Sequence, residues 1–246
     1  MSRYFDLLWQ RGDTGKLFDR SRETTVFPTE AVEQEAFESS RRDVESLRRE
    51  EVRRLVNHVF VSPEAEAPRV VVFCSVDRNA SSSWLCARVA EALVAQFALP
   101  VCALDANPWK PEMHKVLPGG LSIIEADFEG ETSRQVTENL RLYTIEFLSK
   151  NGQTMLPLEK IRKRLEKLRS KFAFVLIDAP PIGEFGDAAS LAQLSDGLIL
   201  LVEANATKRI TARKASQALQ ASSVRVLGTV LNNRTFPIPE KIYQKL

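Results

Sequence analysis

The chain has 246 residues, 44% hydrophobic and 27% charged, with a formal net charge of +2. That length allows one large domain, or a domain with an appendage, and enough apolar residue to bury a core. The near-neutral balance argues against whole-molecule attraction to nucleic acid, and no apolar run approaches the roughly 18–20 residues of a membrane helix. Cys74, Cys86 and Cys102 lack C-x-x-C spacing and read as small apolar residues buried in a reducing cytoplasm. The opening MSRYFDLLWQRGDTGK has no apolar h-region of a signal peptide, so a cytoplasmic location is expected.

In chain order, residues 1–61 read as an N-terminal arm followed by a charged amphipathic helix. Phe5 and Leu8 suggest a short helix at the start, and Val44, Leu47, Val52, Leu55, Val56 and Val59 recur at helical spacing. Gly12 to Lys16 contains a Gly-Lys pair, but no strand precedes it and Leu17 stands where a hydroxyl is needed, so it reads as a turn. The segment SPEAEAP, residues 62–68, is a linker with two prolines. Residues 69–246 alternate strand and helix. Strands are expected at 69–75, 100–105, 121–125, 172–178, 197–203 and 225–231, and helices at 82–97, 110–116, 132–150, 157–170, 187–194 and 207–222. RVVVFCS, AFVLID, GLILLVE and VRVLGTVLN are continuous apolar runs rather than alternating ones. Such strands are covered on both faces, which predicts an α/β fold with a mostly parallel sheet flanked by helices on both faces. Ligands bind such sheets outside the carboxyl ends of the strands.

The first strand ends in SVDRNASSS and a helix follows. A phosphate-binding loop of the form G-x-x-x-x-G-K-[ST] needs glycines for the backbone wrap, a lysine for the β/γ oxygens and a hydroxyl for Mg²⁺. Here Asn79 and Ser81 fall where glycines help, Ser82 falls where the lysine belongs, and Ser83 keeps the hydroxyl. No glycine occurs between Leu17 and Pro118. By itself this loop reads as a polar connection with serines at a helix N-cap. Two further strands stop at carboxylates, Asp105 in VCALDANPWKPEMHKVL and Asp178 in FVLIDAPPI. Aspartates ending parallel strands beside the first loop form the acidic wall of a P-loop nucleotide site.

With these motifs in place, LIDAPPIGEFGDAASLAQLSDGLILLVEANATKR resembles the Walker B region of bacterial tyrosine kinases of exopolysaccharide and capsule biosynthesis, a family within the deviant-Walker ATPases related to MinD and ParA. LDANPWKPEMHKVL resembles their second Walker motif, and VRVLGTVLNNR their L-G-x-V-L-N strand. The resemblance covers about residues 50–235 and identifies the chain as a degenerate member. It implies a P-loop NTPase-like fold with a degenerate Walker A motif. It makes Ser81, Ser82, Ser83 and Asn232 the nucleotide-binding positions, Asn232 being the adenine contact. Asp105 and Asp178 become vestigial catalytic positions, and Ser83, Asp105 and Asp178 the Mg²⁺ ligands if a metal binds. The chain departs from the family at the loop. It departs again at Asn107, where a second aspartate is usual, and at Trp109, where a basic residue is usual. The family's C-terminal tyrosine cluster is reduced to Tyr243, and its E-x-x-R-x-x-R oligomerisation motif keeps Glu50 and Arg53 but has Val56 at the last position. His114 fits a family position and reads as structural.

The resemblance therefore implies a catalytically impaired kinase- or ATPase-like protein. It would be an interaction or regulatory subunit in exopolysaccharide biosynthesis or export, requiring no cofactor, with weak ATP or ADP and Mg²⁺ binding at most. The implied partner is an inner-membrane polysaccharide co-polymerase or related assembly protein, through which the chain would associate with the membrane. Homo-oligomerisation is open and no nucleic acid is implied. An active ATP-dependent tyrosine kinase with an unusual loop is the alternative, and a ParA/MinD-like positioning protein is a third. Two basic helices, at 160–172 and from Lys208, read as solvated outer faces open to anionic lipid, nucleotide or an acidic partner.

Overall fold

A computed structural model describes residues 48–61, 67–78, 82–117, 122–124, 133–144, 148–150, 154–182 and 187–233. The expected arm, most of the linker, Ser81 and Tyr243 lie outside the described residues. Helix α1 spans residues 48–60. It is followed by β1 (Val70–Ser75), α2 (Ser82–Phe97), β2 (Val101–Asp105), α3 (Met113–Val116), β3 (Ser122–Ile124), β4 (Ser133–Thr137) and β5 (Leu140–Tyr143). Next come β6 (Ser149–Lys150), β7 (Thr154–Met155), α4 (Leu158–Lys171), β8 (Phe174–Asp178), α5 (Asp187–Gln193), β9 (Gly197–Glu203), α6 (Arg209–Ala221) and β10 (Val226–Asn232).

An eight-stranded sheet runs in the order β10-β9-β1-β8-β2-β5-β4-β3, and β6 pairs with β7 separately. From β10 to β5 every neighbouring pair is parallel; β4 and β3 join antiparallel at the edge. The runs in β1, β8 and β9 have the cause expected of them, but VRVLGTVLN does not: β10 is an edge strand without a buried residue, and its Val226 and Leu231 are exposed. Val70, Val72 and Cys74 of β1 pack with α4, α5 and α6, whereas Val71 and Phe73 pack on the other face with α1, α2 and Met113 of α3. Successive side chains of a strand point to opposite faces, so a strand covered on both must be apolar throughout.

The helix expected at 132–150 is not formed. Val136, Leu140 and Tyr143 do stand at helical spacing, but the segment folds as the hairpin β4–β5 around Glu138 and Asn139, with the two-stranded β6–β7 ribbon beginning beyond it. Leu140 and Leu142 point to one core and Tyr143 to the other, the two-residue alternation of a strand. The decisive term is tertiary. The edge of β2 needs a partner, and β5 supplies it in parallel from Val101↔Leu140 to Leu104↔Tyr143. The helix expected at 110–116 is trimmed to Met113–Val116, beginning two residues after Pro111.

Helix α1 buries Val52, Val56, Val59 and Phe60, and Phe60 meets Phe174 edge-on at 5.5 Å. Glu50 and Arg53 pair at 3.0 Å on its exposed side, whereas Val56 is fully buried. The final position of the partial oligomerisation motif is thus a core residue here, and an arginine placed there would have to bury its charge.

At the amino ends of the strands Asp196 ties three elements together. Its Oδ2 accepts the backbone N–H of Arg69 at 2.7 Å and of Val70 at 2.8 Å, and its Oδ1 accepts from Arg169 at the end of α4. Arg69 in turn donates to the carbonyls of Ala173, Arg169 and Phe172. Burial pushes the Asp196 carboxyl up, but the Arg169 and backbone hydrogen bonds outweigh it and hold the group below its ordinary value. A depressed folded-state value means that stability is present above the ordinary carboxylate range and is lost as pH falls through the folded value. Asp196→Ala is expected to cost about 2 kcal/mol at neutral pH in denaturant unfolding, in line with charge-assisted hydrogen bonds. The gap between variant and parent should close as pH drops below about 4.

Candidate functional site

The carboxyl ends of the parallel strands form one ridge, and Asp178 sits at its centre. It ends β8, between β1 and β2, in register with Phe73 on one side and Asp105 on the other. Its backbone is fixed from both sides: its carbonyl accepts the N–H of Ala106 at 2.9 Å, and the next N–H, of Ala179, donates to Phe73 at 2.9 Å. The side chain is fully buried. The Ser82 hydroxyl donates to Oδ1 at 2.6 Å and the Ser83 hydroxyl to Oδ2 at 2.5 Å. Both serines open α2 and both are buried. The arrangement sets a carboxylate against the amino end of a 16-residue helix, where unpaired N–H groups and the helix dipole favour negative charge.

Burial dominates the titration of Asp178. Desolvation pushes the carboxyl up to about 6, the Ser82 and Ser83 hydrogen bonds pull it back, and the charge of Glu112 adds a further upward push. The hydroxyls are neutral donors and cannot offset burial as a lysine ammonium would.

Asp105 ends β2 directly beside Asp178 and is also buried. Its Oδ1 accepts the N–H of Asn107 at 3.4 Å and its Oδ2 that of Met113, the first residue of α3, at 3.2 Å. Asn107 uses its own side-chain oxygen to accept the N–H groups of Trp109 and Lys110, each at 3.2 Å, an Asx-type turn. The indole of Trp109 projects into solvent, 63% exposed. His114 is exposed on α3. Among the described residues no group of three or more His, Cys, Asp or Glu side chains is placed to hold a metal ion.

Asn232 ends β10, three strands from Asp178 across β9 and β1, or about 14 Å at ordinary strand spacing. Its Nδ2 donates to Glu203 Oε2 at 3.1 Å, and Asn233 donates to Oε1 at 2.6 Å. Glu203 is a buried acid at the end of β9 that the sequence reading passed over. Its signal was present: GLILLVE is a third apolar run stopping at a carboxylate, as the runs to Asp105 and Asp178 do. Its backbone N–H is held by the Thr207 hydroxyl at 3.1 Å.

The structure thus brings Ser82, Ser83, Asp178 and Asp105 to adjoining positions, places Asn232 farther along the same ridge, and leaves Ser81 outside the described residues. All three cysteines are fully buried. Burial is the main cause that pushes each thiol far up, with the Asp178 charge adding at Cys74 and those of Asp178 and Asp105 at Cys86.

One measurement isolates the Asp178 environment. The folded state holds this proton more tightly than the unfolded chain, so its contribution is fully present below 3.8 and is lost as pH rises through about 6. A shift of that size corresponds to about 3 kcal/mol. Asp178→Asn keeps the shape and, with the hydroxyls free to rotate, the hydrogen bonding. It is expected to remove the fall in stability between about pH 4 and pH 7 and to melt higher than the parent at pH 8, read by thermal unfolding across that range.

No family model matches the chain. Tyrosine-protein kinase CpsD of Streptococcus agalactiae serotype III (strain NEM316) is 35% identical over 82 residues, covering 33% of this chain and 35% of that protein. The aligned stretch therefore spans about a third of that relative's length. The putative tyrosine-protein kinase CapB of Staphylococcus aureus is 25% identical over 183 residues, covering 72% of this chain and 79% of that protein. Among solved structures, the kinase domain of VpsO superposes with a TM-score of 0.60 at 20% identity, over 78% of this chain and 98% of that one. A chain of the MinC:MinD cell division protein complex of Aquifex aeolicus superposes with a TM-score of 0.55 at 16% identity, over 68% of this chain and 69% of that one. At such identities the structural likeness speaks for the fold, and the sequence matches carry the kinase likeness. The chain is thus similar in sequence to bacterial tyrosine-protein kinases, and its fold is the one shared by the VpsO kinase domain and the MinC:MinD complex chain.

Proposed function

We propose that the chain is a catalytically impaired relative of the bacterial tyrosine kinases, acting as an interaction or regulatory subunit in exopolysaccharide biosynthesis or export. The observation that carries this reading is the Ser82–Asp178–Ser83 cluster. At the position where the family places a lysine, a neutral hydroxyl closes onto the buried carboxylate, and the second serine takes the other oxygen. One preorganised charge-stabilising group is worth roughly 3 kcal/mol, or about a hundredfold in rate. The sequence replaces several: the lysine by Ser82, the glycines by Asn79 and Ser81, and a metal-wall carboxylate by Asn107.

The residues fit Mg²⁺ poorly. Asp178 has both oxygens engaged by serine hydroxyls, and Asn107 spends its oxygen on its own turn. Neither a cofactor nor a metal is required for an interaction role; the amino end of α2 and Asn232 leave weak ATP or ADP binding as the residual chemistry. The partner is an inner-membrane polysaccharide co-polymerase or related assembly protein, by likeness to the capsule kinases.

The alternative is an active ATP-dependent tyrosine kinase with an unusual loop. It is favoured by the Ser83–Asp178 pair, a hydroxyl and a carboxylate together at a helix amino end.

Calorimetry with Mg-ATP and Mg-ADP, with ATPase and phosphotyrosine assays, separates the two. Binding is expected to be absent or weak and turnover absent, with Asp178→Asn indistinguishable from the parent. Clear Mg-dependent turnover abolished by Asp178→Asn would establish the alternative.

A further inference from the structure

Charge is unevenly divided between the two faces of the sheet. Helices α4, α5 and α6 cover one face, anchored by Ile161, Leu165 and Leu168, by Ala188 and Leu191, and by Ala215 and Leu219. With Lys208, this layer holds eleven basic and three acidic residues; the rest of the chain holds twenty-three basic and twenty-nine acidic ones. A chain of net charge +2 thus carries a strongly basic helical layer on an otherwise acidic body.

Lys208, Arg209, Arg213 and Lys214 are all exposed, α6 contains no acid, and none of the four forms an ion pair among the described residues. On α4, which also carries the acids Glu159 and Glu166, Lys160, Arg162 and Lys163 are exposed and form no ion pair among the described residues. Two large apolar side chains stand among these cations. Ile210 is 64% exposed in the first turn of α6, three and four residues before Arg213 and Lys214 and so on their face of the helix. Leu158 is 49% exposed as the first residue of α4, one turn before Arg162. Helix α6 leaves the carboxyl end of β9 and α4 leads to the amino end of β8, so both helices begin at the same end of the layer.

We propose that the α4–α6 face docks on an anionic lipid membrane surface, with Ile210 and Leu158 entering the headgroup region at one end. Unpaired cations around aliphatic anchors on the outer side of a helical layer are what such a surface attracts. The anchors are aliphatic, whereas binding of single-stranded nucleic acid uses aromatic platforms. Each basic residue near an anionic surface contributes about a fivefold factor in partitioning, screened by salt. This contact is separate from any association through a membrane-protein partner.

The test is co-sedimentation of the full chain with phosphatidylcholine vesicles and with vesicles containing 30% phosphatidylglycerol. Binding is expected to the anionic vesicles alone and to fall steeply with added salt. The double variant Arg213→Glu/Lys214→Glu should weaken it at least tenfold, and Ile210→Ser several-fold with the salt dependence retained. Arg49→Glu/Arg54→Glu, which changes net charge equally on the exposed side of α1 against the opposite face of the sheet, should leave it close to the parent. Circular dichroism and melting temperature confirm that each variant folds. Absent binding, equal binding to neutral vesicles, equal losses from the two double variants, or tighter binding to an oligonucleotide than to the anionic vesicles would each overturn the proposal.

Discussion

The interior of the site is organised by one carboxylate that two hydroxyls share. Asp178 closes a central strand of the sheet, and its oxygens are each satisfied by a serine from the opening turn of α2. The contact joins segments 95 and 96 residues apart, so it fixes where α2 begins relative to the ridge of strand ends. Leaving such a group unpaired at full burial would be costly, and pairing it with neutral donors leaves it only partly compensated. The elevated titration of Asp178 is the visible remainder of that imbalance.

The same tendency recurs at three positions where family resemblance places a group that faces a ligand or another subunit. Asn107 turns its oxygen onto its own loop, Asn232 donates to Glu203, and Val56 packs into the core. At each position polar capacity is satisfied within the chain or replaced by apolar packing. That pattern supports the reading of impaired catalysis.

Much of this was legible in the sequence because the central strands of the ridge, β1, β2, β8 and β9, are buried on both faces and therefore apolar without interruption. Asp105 and Asp178 were visible as the residues where such runs stop, and α4 by its spacing of Ile161, Leu165 and Leu168. Two things were not. The hairpin at 133–143 carries apolar residues compatible with either period, and the open edge of β2, a tertiary fact, decided between them. The pairing of Ser82 and Ser83 with Asp178 depends on how β8 inserts between β1 and β2, which no local spacing encodes. Glu203 ends an apolar run as the two aspartates do, but its partners Asn232 and Asn233 come from the neighbouring strand end, about thirty residues on.

The burial of the three cysteines has an experimental use. Cys74 and Cys102 lie in strands and Cys86 in α2, and no thiol touches solvent. The thiolate is the reactive species, and in the folded state it is suppressed by both access and ionisation. A thiol reagent added to the native chain therefore reacts when the sheet opens, and its rate counts openings of the core without any engineered probe. A ligand or surface that stabilises the folded chain would slow that clock, which makes the native cysteines a reporter of binding even where no turnover exists to follow.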